Sequence, residues 1–209
     1  MNARFNDDEF AKLKKILMIY EWGQRTLLTK LEIIQEDQRL HQNNSPIEHI
    51  MHRIKTPESI ARKLHALKKG VTAKCAREHL RDIAGIRIIC PFARDIAIMV
   101  DILRAMPETH ITQEKDYVTN PKPSGYRGYH VIMEVPVFYS GHTEDVAVEV
   151  QIRTEAMNFW ATLEHNARYK FDKDIPERLR NSLVACAEQT AELDAKMFSI
   201  HDEIRRGDY

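Results

Sequence analysis

The sequence predicts an α+β domain: one mixed sheet of about five strands, flanked by helices, with a long helix at each end. Three observations carry this. Residues 7–42 and 176–206 carry apolar residues at three-to-four spacing among charges, as amphipathic helices do. IAGIRIIC (83–90) is a short apolar run of strand length. VAVEVQIR (146–153) alternates apolar and polar residues, as a half-buried strand does.

The elements follow in order. In residues 7–42, Phe10, Leu13, Ile16, Leu17, Tyr20, Leu27, Leu31 and Ile34 form the apolar stripe, and Gly23 is a position for a bend. NNSP (43–46) breaks the pattern. Thr56-Pro57-Glu58 opens a second helix that runs to about Lys69, with Thr56 as N-cap, Pro57 at the first helical position and Gly70 as the stop. A short helix covers about 74–81, the first strand 83–90 and a further helix 93–106, with Ile96, Val100 and Leu103 on one side. A strand near 110–117 leads into the loop YVTNPKPSGYRGYH (117–130). A strand at 129–138, a turn at SGHTED and a strand at 144–152 come next. Helices at about 154–170 and 176–206 close the chain, separated by Asp174-Ile175-Pro176. The 209 residues are expected to form a single domain, with a helical N-terminal extension (7–42), a core (46–170) and a C-terminal helix (176–206).

Composition narrows the function. Lys and Arg number 31, Asp and Glu 31, so the formal net charge is zero. A dedicated nucleic-acid coat would show a basic excess. Cys75, Cys90 and Cys186 are widely spaced and form no CxxC, which reads as reduced thiols in the cytoplasm, not a disulfide frame or zinc site. The start, MNARFNDDEF, is polar and acidic, unlike a signal peptide, and no apolar run is long enough to span a membrane.

Chemistry concentrates in three places. On VAVEVQIR, Val148, Val150 and Ile152 share one face and Glu149, Gln151 and Arg153 the other. Asp82 stands at the entry of the first strand, and Arg87 lies inside its apolar run, where an arginine needs an anion or a stacking partner. If both strands share a sheet, Asp82 and Glu149 converge, a common way to hold Mg²⁺. In HRIKTPESIARKL (52–64), Arg53 and Lys55 precede a helix whose first turns carry Ser59, Arg62 and Lys63. Cations are unfavourable at a helix N-terminus unless an anion binds there, so this reads as a polyphosphate cradle. A solvated strand face and a solvated basic helix are the plain alternatives. The loop 117–130 holds two prolines, two glycines, three tyrosines, a lysine, an arginine and a histidine, more than a connection needs.

RIKTPESIARKL, RDIAGIRIIC, DYVTNPKPSGYRGYH and VEVQIRTEAMNFWATLEH, in this order, resemble the four synthetase motifs of the RelA/SpoT (p)ppGpp synthetase family. The chain length resembles the small alarmone synthetases of the RelQ/RelP type. The resemblance implies a nucleotidyltransferase-like sheet and a GTP pyrophosphokinase. Such an enzyme moves pyrophosphate from ATP to the 3′-hydroxyl of GDP or GTP, giving ppGpp or pppGpp plus AMP. It implies that Arg53 and Arg87 sandwich the adenine, that Lys55, Ser59, Lys63 and Arg62 hold ATP phosphates, and that Asp82 and Glu149 bind Mg²⁺. Glu149 would also take the hydroxyl proton. For the acceptor, it implies stacking on Tyr126, phosphate contacts from Lys115 and Lys122, and a pocket finished by His130, Gln151 and Asn158. Tyr117, Tyr129, Met157 and Trp160 read as packing residues, and Glu164 and His165 as lining or bracing the pocket.

Two positions depart from the family pattern. Gly128 stands where many relatives carry serine after GYR, and His49 where pppGpp-activated homotetramers carry an aromatic residue. Activated and unactivated behaviour both stay open. A homo-oligomer, a tetramer by resemblance, and RNA binding are further implications, and synthesis without hydrolysis is expected. Two rival functions remain: a related pyrophosphotransferase with an adenosine-nucleotide or tRNA acceptor, and a non-catalytic RNA-binding module.

Overall fold

The computed structural model describes residues 4–42, 45–171 and 175–207. The chain order is α1 (Asp7–Gln42), β1 (His49–Ile54), α2 (Pro57–Ala66), α3 (Ala73–His79), β2 (Ala84–Cys90), α4 (Ala93–Ala105), β3 (His110–Asp116), β4 (Tyr129–Tyr139), β5 (His142–Thr154), α5 (Glu155–Lys170) and α6 (Glu177–Arg206). Among the described residues, five strands form one mixed sheet in the order β1-β2-β5-β4-β3. β2 and β5 run parallel, and the other neighbours are antiparallel. This is the α+β layout with long terminal helices that the sequence predicts.

Alternation along the strands separates two faces. Ile86 and Ile88 of β2, Val148, Val150 and Ile152 of β5, and Val131 and Met133 of β4 are buried in the main core. Leu13, Leu27 and Leu31 of α1 and Ile96, Met99 and Leu103 of α4 join the same core. α1 is therefore no appendage; it packs along β2, β4 and β5. A smaller cluster gathers Tyr126, Trp160 of α5 and Ala187 of α6. Met157 and Trp160 are buried, as packing residues should be.

Several local readings change. β1 is a strand that sequence pattern did not reveal, paired antiparallel to β2 at the sheet edge. α2 ends at Ala66, before the expected stop at Gly70, because Lys68 takes the left-handed conformation (φ 55°) and the Lys69 N–H closes back on the Leu64 carbonyl. Thr56 caps α2 as expected, its hydroxyl accepting from the Ser59 N–H. β5 starts at His142, so the expected six-residue turn shrinks to Ser140-Gly141, both at positive φ. Gly23 is a close-approach position within one unbroken helix: a Cβ there would lie 2.9 Å from Val146 Cβ. Asn43 and Asn44 of the NNSP break, and Asp174 of the break before α6, lie outside the described residues.

Candidate active site

Strand register assembles the polar face. Side chains of directly paired residues project to the same side of a sheet. One row runs Arg53, Gly85, Glu149, Ile132 across β1, β2, β5 and β4. The next runs Met51, Arg87, Gln151, His130, Lys115 across all five strands. Gly85 carries no side chain between Arg53 and Glu149. A cavity of about 260 Å³ opens there, lined by Met51, Arg53, Gly85, Arg87, Glu149 and Gln151 among others. A neighbouring cavity of about 460 Å³ shares Arg53, Arg87 and Gln151 and extends to Lys122, Tyr126 and His130.

Asp82 sits just ahead of β2, where the Lys55 N–H bonds the Ile83 carbonyl and draws the start of α2 alongside. Its Oδ2 accepts from Lys55 and, at 2.6 Å, from Lys63. Its Oδ1 is buried without a hydrogen-bond partner. Burial pushes this carboxyl up, but the two ammonium groups outweigh it and hold the pKa below its usual value. For Lys55, burial dominates and lowers its pKa.

Glu149 receives the Gln151 amide on Oε2 at 3.0 Å, and His130 Nδ1 stands 3.4 Å from Oε1. Burial pushes Glu149 up, the nearby Asp82 charge adds to that, and the His130 contacts reverse it, leaving its pKa below the usual value. Arg87 is lowered by burial and then by repulsion from Arg153 and Arg53. A cluster of cations that repel one another inside a cavity is primed for anions.

The expected residues fall into groups. Asp82, Lys55 and Lys63 meet directly. Arg87 reaches Asn158 Oδ1 at 3.1 Å and Gln151 Oε1 at 3.5 Å, linking β2, β5 and α5. Tyr126 is buried, its hydroxyl contacting both Arg153 and His130, while the Lys122 ammonium lies 4.8 Å from its ring centre. Ser59 and Arg62 bond each other at 3.1 Å on α2 and line neither cavity. Lys115 is exposed on the outer strand β3, on the correct face but outside both cavities.

Some cavity residues were not assigned from sequence. Arg153 is the most buried charged residue of them, at 6% exposure. Its signal was present: it is the third polar residue after Glu149 and Gln151 on one strand face. Glu164 and His165, which the sequence suggested as lining or bracing the pocket, line the larger cavity, together with the unassigned Thr162 and Arg168 of the same helix. Among the described residues, no group of three or more His, Cys, Asp or Glu converges on a metal position. No helix among them is long and apolar enough to cross a membrane.

An α+β sheet that presents Glu149 and crowded arginines to two adjoining cavities, with Asp82, Lys55 and Lys63 clustered at the entry of β2 and lining neither, defines a protein that handles phosphate-rich ligands. The chain belongs to the RelA/SpoT family: the region found in RelA / SpoT proteins matches residues 52–174. It is 43% identical over 193 residues to the GTP pyrophosphokinase YwaC of Bacillus subtilis, covering 91% of each chain. Its fold is similar to that of small alarmone synthetase 1 from Bacillus subtilis bound to its product pppGpp, with TM-score 0.84 and 35% identity, over 91% of this chain and 97% of that one. The same enzyme bound to AMPCPP matches with TM-score 0.77 and 33% identity, over 92% and 97%.

Proposed function

We propose that the chain is a (p)ppGpp synthetase, which transfers pyrophosphate from ATP to the 3′-hydroxyl of GDP or GTP and releases AMP. The observation that carries this is the convergence of Glu149, Gln151, His130 and Arg87 on adjoining cavities, with Asn158 bonded behind Arg87, in a chain 35% identical to a synthetase that binds pppGpp. The smaller cavity, between Arg53 and Arg87, would take the adenine. That a relative binds AMPCPP supports an adenine nucleotide as one substrate. Lys55 and Lys63, with Ser59 and Arg62 at the start of α2, would meet the ATP phosphates. The larger cavity would take the guanosine nucleotide. There a purine stacked on Tyr126 displaces the Lys122 ammonium toward the acceptor phosphates.

Asp82 and Glu149 would hold Mg²⁺. A buried, unpartnered carboxylate oxygen on Asp82 fits such an ion, which needs few protein oxygens. When bound, Mg²⁺ supplies positive charge against the phosphates. Glu149, held ionised by His130 and Gln151, would accept the proton of the attacking hydroxyl. The described residues would act as one synthetase domain without hydrolase activity, in the cytoplasm. Leu193, Met197, Ile200 and Ile204 of α6 are exposed at helical spacing, a face suited to the homotetramer that the family resemblance implies. His49 is exposed and its Nε2 lies 3.6 Å from Glu155 Oε1, so a small imidazole facing a carboxylate occupies the position where pppGpp-activated relatives carry their aromatic residue.

The test is a product assay. The protein, Mg²⁺ and labelled ATP are incubated with GDP, GTP, ADP or tRNA in turn. One AMP per ppGpp or pppGpp, abolished in Glu149→Ala, is the expected result. Label on ADP or tRNA alone would replace the acceptor. No transfer, with RNA retained on the protein, would favour the binding module.

A further inference from the structure

Arg153 has an unusual position. It is 6% exposed, and its Nε is buried without a hydrogen-bond partner. A buried guanidinium is costly unless its protons are used. Nη2 donates to the Tyr126 hydroxyl at 2.7 Å and to Gln151 Oε1 at 2.9 Å. Both acceptors are neutral, and both lead to the same carboxylate.

Arginine can only donate. The Tyr126 oxygen therefore accepts from Arg153, and its one proton is left for its other neighbour, His130 Nε2. A neutral imidazole that accepts at Nε2 carries its proton on Nδ1. That nitrogen faces Glu149 Oε1 at 3.4 Å. The second arm is shorter. Because the Gln151 carbonyl faces Arg153, its NH₂ group points to Glu149 Oε2, at 3.0 Å. Arg153 fixes the histidine tautomer and, as the nearer of two arginines on the Gln151 oxygen (Arg87 lies at 3.5 Å), the amide orientation.

We infer that Arg153 is a positioning residue for pyrophosphate transfer: through Tyr126 and His130, and separately through Gln151, it sets the two donors that hold the two Glu149 oxygens. This rests on the reading of Glu149 as the proton acceptor. It gives the Tyr126 hydroxyl a task distinct from that of its ring. The ring stacks; the hydroxyl orients a base across the cavity.

Tyr126→Phe separates the two, since it keeps the ring. The expected result is a fall in kcat of roughly tenfold to a hundredfold, the usual loss when an outer orienting partner is removed. KM for ATP and for the acceptor should stay within about twofold. In a His130→Ala background the same change should alter kcat by less than about twofold, because that arm is already cut. Arg153→Gln should lose more than Tyr126→Phe, since it cuts the first arm and leaves the second to the longer Arg87 contact; if it fails to fold, Tyr126→Phe carries the test. Unchanged kcat, a rise in acceptor KM alone, or fully additive losses in the double variant would overturn the proposal.

Nitrogen NMR of histidine-labelled protein without nucleotide gives a readout that a merely structural role would not move. The His130 ring should be the Nδ1–H tautomer in the parent protein and a mixture in Tyr126→Phe. An unchanged tautomer would remove the first arm. If the parent protein makes no alarmone at all, the underlying reading of Glu149 fails, while the tautomer still reports on the chain of bonds.

Discussion

On β5, Val146, Val148, Val150 and Ile152 point into the core beneath α1, while Glu149, Gln151 and Arg153 point across the sheet into the cavities. The same strand therefore carries two kinds of residue under opposite constraints. On the apolar side, burial lowers free energy, at about 25 cal/mol per Å² of apolar surface. On the polar side, burial raises the cost of each charge, and neighbouring groups must offset it. Burial is the largest influence on Asp82, Glu149 and Arg87 alike, and each is answered or worsened by named neighbours. The difference teaches that stability and chemistry are separable here by residue parity, and substitutions can test that separation.

The largest expected effect is on the polar face. Glu149→Gln should lower kcat by roughly 10²–10⁴-fold, the range for loss of a general base, with the melting temperature nearly unchanged. A large loss of stability would show that the face also holds the fold together. The carboxylate's acid behaviour follows from its depressed pKa. Folded Glu149 titrates below 4.5, so its contribution to stability is complete above that pH and is lost as pH falls through the folded value. Between neutral pH and 4.5, Glu149 should impose no fall in kcat/KM, and a pH–rate profile checks this.

The apolar face should respond in the opposite sense. Leu27 is fully buried on α1, and Leu27→Ala should cost about 2–5 kcal/mol in denaturant unfolding while kcat per folded molecule stays within about twofold. Gly23→Ala is a smaller and sharper probe. Alanine improves helix propensity by about 1 kcal/mol, but overpacking costs about 1–3 kcal/mol. With the new Cβ 2.9 Å from Val146 Cβ and Cγ1, the steric term should prevail and the variant should be less stable. A gain in stability would mean that α1 can lift from β5 cheaply.

Much of this arrangement was legible because period-two alternation reports sidedness directly. The two faces of β5 could be read before any partner strand was known. β1 could not be. HIMHRI is an edge strand with His49, Met51, His52 and Arg53 exposed, so no buried stripe marks it, and its pairing with β2 spans about thirty residues of sequence. The close approach at Gly23 was not legible because the requirement comes from Val146, far away in the chain. Arg153 was placed on the correct face, but burial of a charge leaves no local trace in sequence. The convergence of Asp82 with Lys55 and Lys63 was likewise a product of β1 pairing, which draws the start of α2 to the entry of β2.

The smallest expected effect lies at the border of the comparison. Lys115 belongs to the polar face by register, opposite His130, yet it is exposed and lines neither cavity. An exposed cation acting on a phosphate through water contributes about 0.2–1 kcal/mol, which corresponds to at most about fivefold in affinity. Lys115→Ala should therefore raise KM for GDP or GTP by at most about fivefold, leave kcat unchanged, and lose that effect as salt is added. Lys122→Ala removes a cation that is also exposed but lines the larger cavity over Tyr126, and it should cost more. If Lys115→Ala proves as damaging as Lys122→Ala, β3 must close toward the acceptor when nucleotide binds, and parity alone would no longer predict which residues act.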